Sequence, residues 1–92
     1  MNLGTVEKQP VERQSYTINY EQALTDGDNV ISATTSVAPS GLTVESPSVY
    51  DPRVKFWVSG GLSGITYKVQ VTTTTEDGRV FQDELYFKVR EI

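Results

Sequence analysis

Apolar and polar residues alternate along most of this chain, which is the period of a half-buried β-strand. From Ser15 the order Ser-Tyr-Thr-Ile-Asn-Tyr puts Tyr16, Ile18 and Tyr20 on one face. The stretch from Asn29 to Val37 groups Ile31, Ala33, Thr35 and Val37. Leu42 and Val44 form a short third segment, and Val54, Phe56 and Val58 alternate in a fourth. Tyr67, Val69, Val71 and Thr73 define a fifth, and Leu85, Phe87 and Val89 a sixth. Leu3 and Val6 mark a weaker strand before Pro10, so residues 1–14 are expected to form an extended N-terminal arm or an edge strand. Residues 15–92 are expected to form a single β-sandwich domain. The polar content of Met1 to Ser15 predicts an arm loosely held by its own chain.

Turn chemistry separates these segments. Thr25-Asp-Gly-Asp-Asn29 supplies a glycine for positive φ and Asx side chains for local backbone bonds. Pro39-Ser-Gly41 divides the second and third segments. Pro47 to Pro52 predicts a rigid loop, and Ser59-Gly-Gly-Leu-Ser-Gly64 the most flexible connection. Glu76-Asp-Gly-Arg79 is the strongest hairpin signal, with Asp77-Gly78 at its centre. Only Tyr20 to Leu24 has any helical character, and it is too short for more than one turn.

Six or seven short strands with glycine and proline turns predict an all-β fold, an immunoglobulin-like β-sandwich of about seven antiparallel strands, with a small open barrel as the competing architecture. One face of each strand is apolar while the other carries Lys68, Gln70, Lys88 and Arg90, so each sheet keeps one wet side. Trp57 breaks the pattern, because it lies on the face opposite Val54, Phe56 and Val58. It is either partly buried under a loop or a contact surface for another chain, since tryptophan is enriched at binding hot spots.

Composition narrows the chemistry. The 92 residues contain no cysteine and no histidine, which removes disulfides, thiolate nucleophiles and the usual base near neutral pH. A net charge of -4 argues against a nucleic-acid partner, which needs a basic surface. No apolar run is long enough for a membrane-spanning helix, and Met1 to Pro10 lacks the apolar core of a secretory signal.

The remaining motifs fail as reactive or metal sites. Asp26, Asp28 and Asn29 lack the ligand spacing of a calcium loop, since Val30 and Ile31 fall where ligands and glycine belong. Gly60, Gly61 and Gly64 are followed by neither the lysine nor the helix of a phosphate loop. Asp83 and Glu84 are adjacent on a strand and point to opposite faces, which predicts a solvated or edge-protecting pair. Arg79 is either a turn residue pairing with Glu76 or Asp77, or an anchor for a partner. The Thr72 to Thr75 run fits both faces of a strand, and would offer a pairing surface if that strand were at an edge. The sequence therefore predicts no enzyme, no catalytic residue, no cofactor and no metal.

The order Lys8-Gln-Pro10, Tyr16-Thr-Ile-Asn-Tyr20, Leu24, Gly27-Asp28, Ile31-Ser32 and Ser40-Gly-Leu42 continues into Val54-Lys-Phe-Trp57-Val-Ser-Gly-Gly61 and Gly64-Ile-Thr-Tyr67. Thr73-Thr-Thr-Glu-Asp-Gly-Arg79 and an alternating strand to Val89 complete it. Taken together, this resembles the small tailed-phage and prophage immunoglobulin-like structural proteins called fiber-tail adaptors, over nearly the whole chain. The Trp57-to-Gly61 segment and Thr74, Thr75, Gly78 and Arg79 are its most specific parts. The resemblance implies a virion component of the neck or tail, made in the host cytoplasm. It also implies several copies around the tail axis and no catalytic activity.

The expected function is a non-enzymatic structural adaptor that assembles through strand edges and loops. Its expected partners are other phage structural proteins and further copies of itself in a ring, without direct nucleic-acid contact or membrane insertion. Trp57, Tyr50, Arg79 and Phe81 are the expected interface residues. The alternative is a carbohydrate- or host-surface-binding module of a fiber or adhesin, which requires Tyr50, Trp57 and Tyr86 to converge on one face.

Overall fold

The structure, a computed structural model, describes residues 1–91. The described residues form an all-β sandwich of eight strands: β1 (Asn2–Lys8), β2 (Arg13–Asn19), β3 (Val30–Ala38), β4 (Leu42–Val44), β5 (Ser48–Tyr50), β6 (Arg53–Gly60), β7 (Thr66–Thr75) and β8 (Val80–Val89). One sheet has the order β1-β8-β7-β3. The other has the order β2-β6-β4, with β5 also paired to β6. Only β1 and β8 run parallel; all other pairs are antiparallel.

The two sheets meet through the alternating rows. Val54, Phe56 and Val58 of β6 are fully buried, and so are Tyr67 and Val69 of β7 and Phe87 and Val89 of β8. The Tyr16 ring spans the sheets, edge-on to Phe87 at 5.0 Å and tilted against Phe56 at 6.0 Å between centroids. Burial of each such side chain contributes about 1.5–3 kcal/mol, so a few rows of valine and aromatic residues dominate the stability of this thin core. At one end the Ser59-to-Gly64 connection closes the core and is tethered to it. Leu62 N–H donates to the Tyr67 hydroxyl at 2.9 Å, and Gly64 N–H to the Val89 carbonyl at 2.8 Å. Gly61 has φ +94°, and an added Cβ would lie 2.8 Å from Val89, so a side chain is excluded there.

Two expectations about the strands are corrected, and the threonine run finds its place in the sheet. Ile31 does not join Ala33, Thr35 and Val37. Val30 pairs with Thr75 and Ser32 with Thr74, so Ile31 is the extra residue of a β-bulge and is turned outward. Ser48 to Tyr50, within the expected loop, is a strand; β4 and β5 pair with opposite ends of β6 on the same edge. The threonine-rich strand β7 is not at an edge but between β8 and β3, with Thr73 and Thr75 buried and Thr72 and Thr74 on the outer face. The hairpin after β7 centres on Asp77 and Gly78, as the sequence predicts. Asp77 keeps a negative φ while Gly78 has +93°, and Thr75 N–H donates to the Arg79 carbonyl at 2.9 Å. This is the three-residue hairpin loop in which glycine takes the left-handed position.

Buried polar groups join the elements at the hairpin end. Asp83 is not solvated as the sequence suggested. Its parity places it on the inner face, where it accepts the Tyr20 hydroxyl at 2.6 Å. Thr73 donates to the same hydroxyl at 3.0 Å, and Phe81 stacks on the Tyr20 ring at 5.3 Å. Burial, reinforced by Asp83, raises the Tyr20 pKa despite the Thr73 hydroxyl. Asp28 lies in the loop before β3 with its side chain sealed from solvent. It accepts from the backbone N–H of Asn29 at 2.9 Å, the N–H of Asp77 at 3.0 Å and the Arg79 guanidinium at 2.8 Å. Desolvation pushes its pKa up, but these donors and the Thr75 hydroxyl outweigh it and hold the carboxyl below its usual range.

The N-terminal segment is not a loosely held arm: β1 is an edge strand paired along β8, and Lys8 at its end is buried. The Lys8 ammonium donates to the Gly60 carbonyl at 2.6 Å and the Gln9 carbonyl at 2.8 Å, which ties β1 to the end of β6 in the other sheet. Burial lowers its pKa, with Glu12 acting in the opposite direction.

Tyr20→Phe leaves the buried Asp83 carboxyl without its hydroxyl donor, and urea unfolding is expected to show a loss of about 1–3 kcal/mol. Asp28 has a folded pKa below its unfolded one. Its contribution is therefore present above the unfolded pKa of about 3.9 and lost as pH falls through the folded value. Asp28→Asn is expected to flatten the acid limb of a plot of stability against pH, measured by urea unfolding at successive pH values.

Candidate functional site

The alternation that buries Val54, Phe56 and Val58 turns Arg53, Lys55, Trp57 and Ser59 outward on the same strand. On β2 their partners are Asn19, Thr17, Ser15 and Arg13, in that order. This outer face of the β2-β6-β4 sheet centres on the half-buried Trp57. The Arg13 guanidinium lies 4.1 Å from the centroid of the indole and the Lys55 ammonium 5.1 Å from it, both within range of cation–π attraction. Glu45, which follows β4, binds Arg13 through two hydrogen bonds of 2.8 and 3.1 Å, while its backbone N–H donates to the Trp57 carbonyl at 3.0 Å. The hydrogen bond to Arg13 holds the Glu45 carboxyl below its ordinary pKa, against the opposing effect of desolvation. The indole is therefore held in place by side chains from three strands' worth of sequence.

Tyr50 belongs to the same face. It pairs with Arg53 across β5 and β6 and is 62% exposed. Four residues of strand separate Arg53 from Trp57, roughly 13 Å, so Tyr50 and Trp57 bracket the face without touching. On this face Arg13, Arg53 and Lys55 outnumber Glu45. A basic face with exposed aromatic area thus stands out on a chain of net charge -4.

The structure places the other two expected interface residues elsewhere. Arg79 is in the β7–β8 hairpin, engaged with Asp28 at 2.8 Å and with Asp77 at 3.3 Å. Asp77 is one of the two partners that the sequence offers, whereas Asp28 comes from a distant loop. Phe81 points inward onto Tyr20 and is half-buried. Tyr86 is on the outer face of the opposite sheet, where it pairs with Lys68 and Thr5. Tyr50, Trp57 and Tyr86 therefore do not converge on one face.

Sequence reasoning singled out Trp57 but missed its setting. Arg53 and Lys55 share its parity on one strand, a signal present in the sequence. Arg13 and Glu45 reach it only through strand pairing. A separate cleft of about 240 Å³ is lined by Glu7, Lys8, Gln9, Glu12 and Arg90. Its charges are already engaged, Arg90 with Glu7 at 3.0 Å and Lys8 with backbone carbonyls. Among the described residues, no three His, Cys, Asp or Glu side chains gather as a metal site.

Residues 8–88 match the sequence model of a family described as podophage GP4 fiber-tail adaptor protein gp77. No curated protein matches the chain.

Trp57 is the sole tryptophan, so its fluorescence reports on this face alone. Arg13→Gln removes the closest cation and frees Glu45. The emission maximum is expected to shift to longer wavelength, and acrylamide quenching to increase, relative to the unsubstituted protein.

Proposed function

Because the chain belongs to the podophage GP4 fiber-tail adaptor protein gp77 family, we propose that it is a non-enzymatic structural adaptor. In this reading it sits in the tail of a tailed-phage virion and joins fiber and tail proteins through the Trp57 face. The observation that carries the reading is the indole held half-exposed between Arg13 and Lys55, at the centre of a basic outer face on an acidic chain. A rigid aromatic flanked by arginine is the composition of a protein-binding hot spot. Its charge selects an acidic partner surface and disfavours contact between that face and a second basic face.

An adaptor needs separate places for separate partners. The molecule measures 45 × 19 × 19 Å, so its outer face and its hairpin end can be engaged by different proteins. The ion-paired hairpin around Arg79 provides a rigid end for such a contact. Copies set around the tail axis would add individually weak contacts through avidity. With Tyr86 on the opposite sheet, the glycan-binding reading has no support from the arrangement of the aromatics.

The test uses Trp57→Ala and, separately, Arg53→Glu combined with Lys55→Glu. These side chains face outward, so circular dichroism is expected to show an intact fold. Incorporation into particles, measured by quantitative mass spectrometry of purified virions, is expected to fall sharply. A hot-spot loss of about 2 kcal/mol weakens a contact roughly thirtyfold. Wild-type incorporation of both variants would contradict the proposed interface.

A further inference from the structure

The free side of β3 is an unguarded strand edge, and its hydrogen-bonding pattern is complementary to itself. The Thr75 N–H donates to the Arg79 carbonyl, so odd residues of β7 direct their backbone groups toward β8 and even residues toward β3. The β7 residues Thr74, Thr72, Gln70 and Lys68 pair with Ser32, Thr34, Ser36 and Ala38. These four residues therefore spend their backbone groups on β7. The N–H and C=O groups of Ala33, Thr35 and Val37 point the other way, and among the described residues they meet no partner.

The other edges are defended. Strand β1 carries Glu7, Lys8 and an irregular register between Asn2 and Thr5. Strand β2 carries Arg13, and β4 and β5 have three residues each, separated by Glu45, Ser46 and Pro47. Strand β3 runs for nine residues without a charge or a proline. Such an edge is a template for pairing with another chain. The bulge at Ile31 limits pairing only at its start. The edge is also accessible, since a groove of about 410 Å³ lined by Ala33, Thr34, Thr35, Val44, Ser46 and Pro47 runs beside it.

We propose that β3 joins two copies of this chain as an antiparallel β3–β3 pair centred on Thr35. In that register Thr35 faces Thr35 of the second copy and Ala33 faces Val37, so the outward N–H and C=O groups of Ala33, Thr35 and Val37 all find partners, while the Val30 N–H stays with the Asp51 carboxylate at 2.8 Å. On the outer face Thr34 lies opposite Ser36 of the second copy. No like charges meet, although each chain carries a net -4. The small inner side chains of the second copy enter the groove beside Val44 and Pro47. A charged peptide would gain no complementary charge along this edge, whereas a second copy satisfies it completely. The pair forms one continuous sheet across two sandwiches and leaves both Trp57 faces free. It does not depend on the role proposed for that face.

The test is sedimentation velocity of the purified full chain over a dilution series, with amide exchange read at single residues. The expected result is reversible growth from 10.2 kDa to twice that mass. Slowed exchange at Ala33, Thr35 and Val37 should accompany it as concentration rises. Thr35→Pro removes only an outward N–H, so the ladder to β7 survives while the dimer is lost. Thr34→Lys with Ser36→Lys sets lysines opposite each other and is expected to weaken the dimer about tenfold. Thr34→Lys with Ser36→Glu sets opposite charges together and is expected to restore it. A monomer at every concentration, with those three amides exchanging rapidly, would overturn the proposal. So would a dimer that withstands both Thr35→Pro and the double-lysine variant.

Discussion

Strand β6 carries two unlike surfaces on one backbone, and its seven-residue pairing with β2 keeps them apart. One parity, Val54, Phe56 and Val58, is sealed in the core. The other, Arg53, Lys55 and Trp57, is the outer face. A slip of one residue would exchange them, putting charges in the core and the apolar row in water. The cost of that exchange protects the register. The same row of apolar residues that stabilises the sandwich therefore also positions the surface through which the adaptor is proposed to act.

The core alone does not set how the loops lie. Polar groups buried at the hairpin end link segments far apart in sequence. Asp28 connects the loop before β3 to the β7–β8 hairpin, and Tyr20 connects the end of β2 to Asp83 and Thr73. Among the described residues, no buried side-chain nitrogen or oxygen lacks a partner. A buried polar group left unpaired is costly in a low-dielectric interior, so a complete network favours one arrangement of these loops over its competitors. At the opposite end Lys8 does similar work, joining the two sheets through the Gly60 carbonyl.

What could be read from the sequence follows the range of the interactions. The alternating rows were legible because parity is local, and the Asp77-Gly78 turn because its conformational demand falls on one glycine. Parity alone also places Asp83 beside Leu85, Phe87 and Val89. Its charge argued for solvent, and the hydroxyl that makes its burial tolerable belongs to Tyr20, sixty-three residues away. The outward turn of Ile31 depends on a bulge in the pairing with β7, which no local pattern records. Trp57 stood out by breaking the alternation. The guanidinium above it did not, because Arg13 comes to the indole only when β2 and β6 align. The strand at Ser48 to Tyr50 was hidden by the prolines on either side of it, which read as a loop.

The outer face of the β2-β6-β4 sheet is proposed to meet another virion protein. The most direct measurement is a cryo-electron microscopy reconstruction of the particle tail at side-chain resolution. It is predicted to show Trp57, Arg13, Arg53 and Lys55 against an acidic surface of a fiber or tail protein. A reconstruction in which this chain is held by other surfaces and the Trp57 face looks into solvent would overturn the proposed interface.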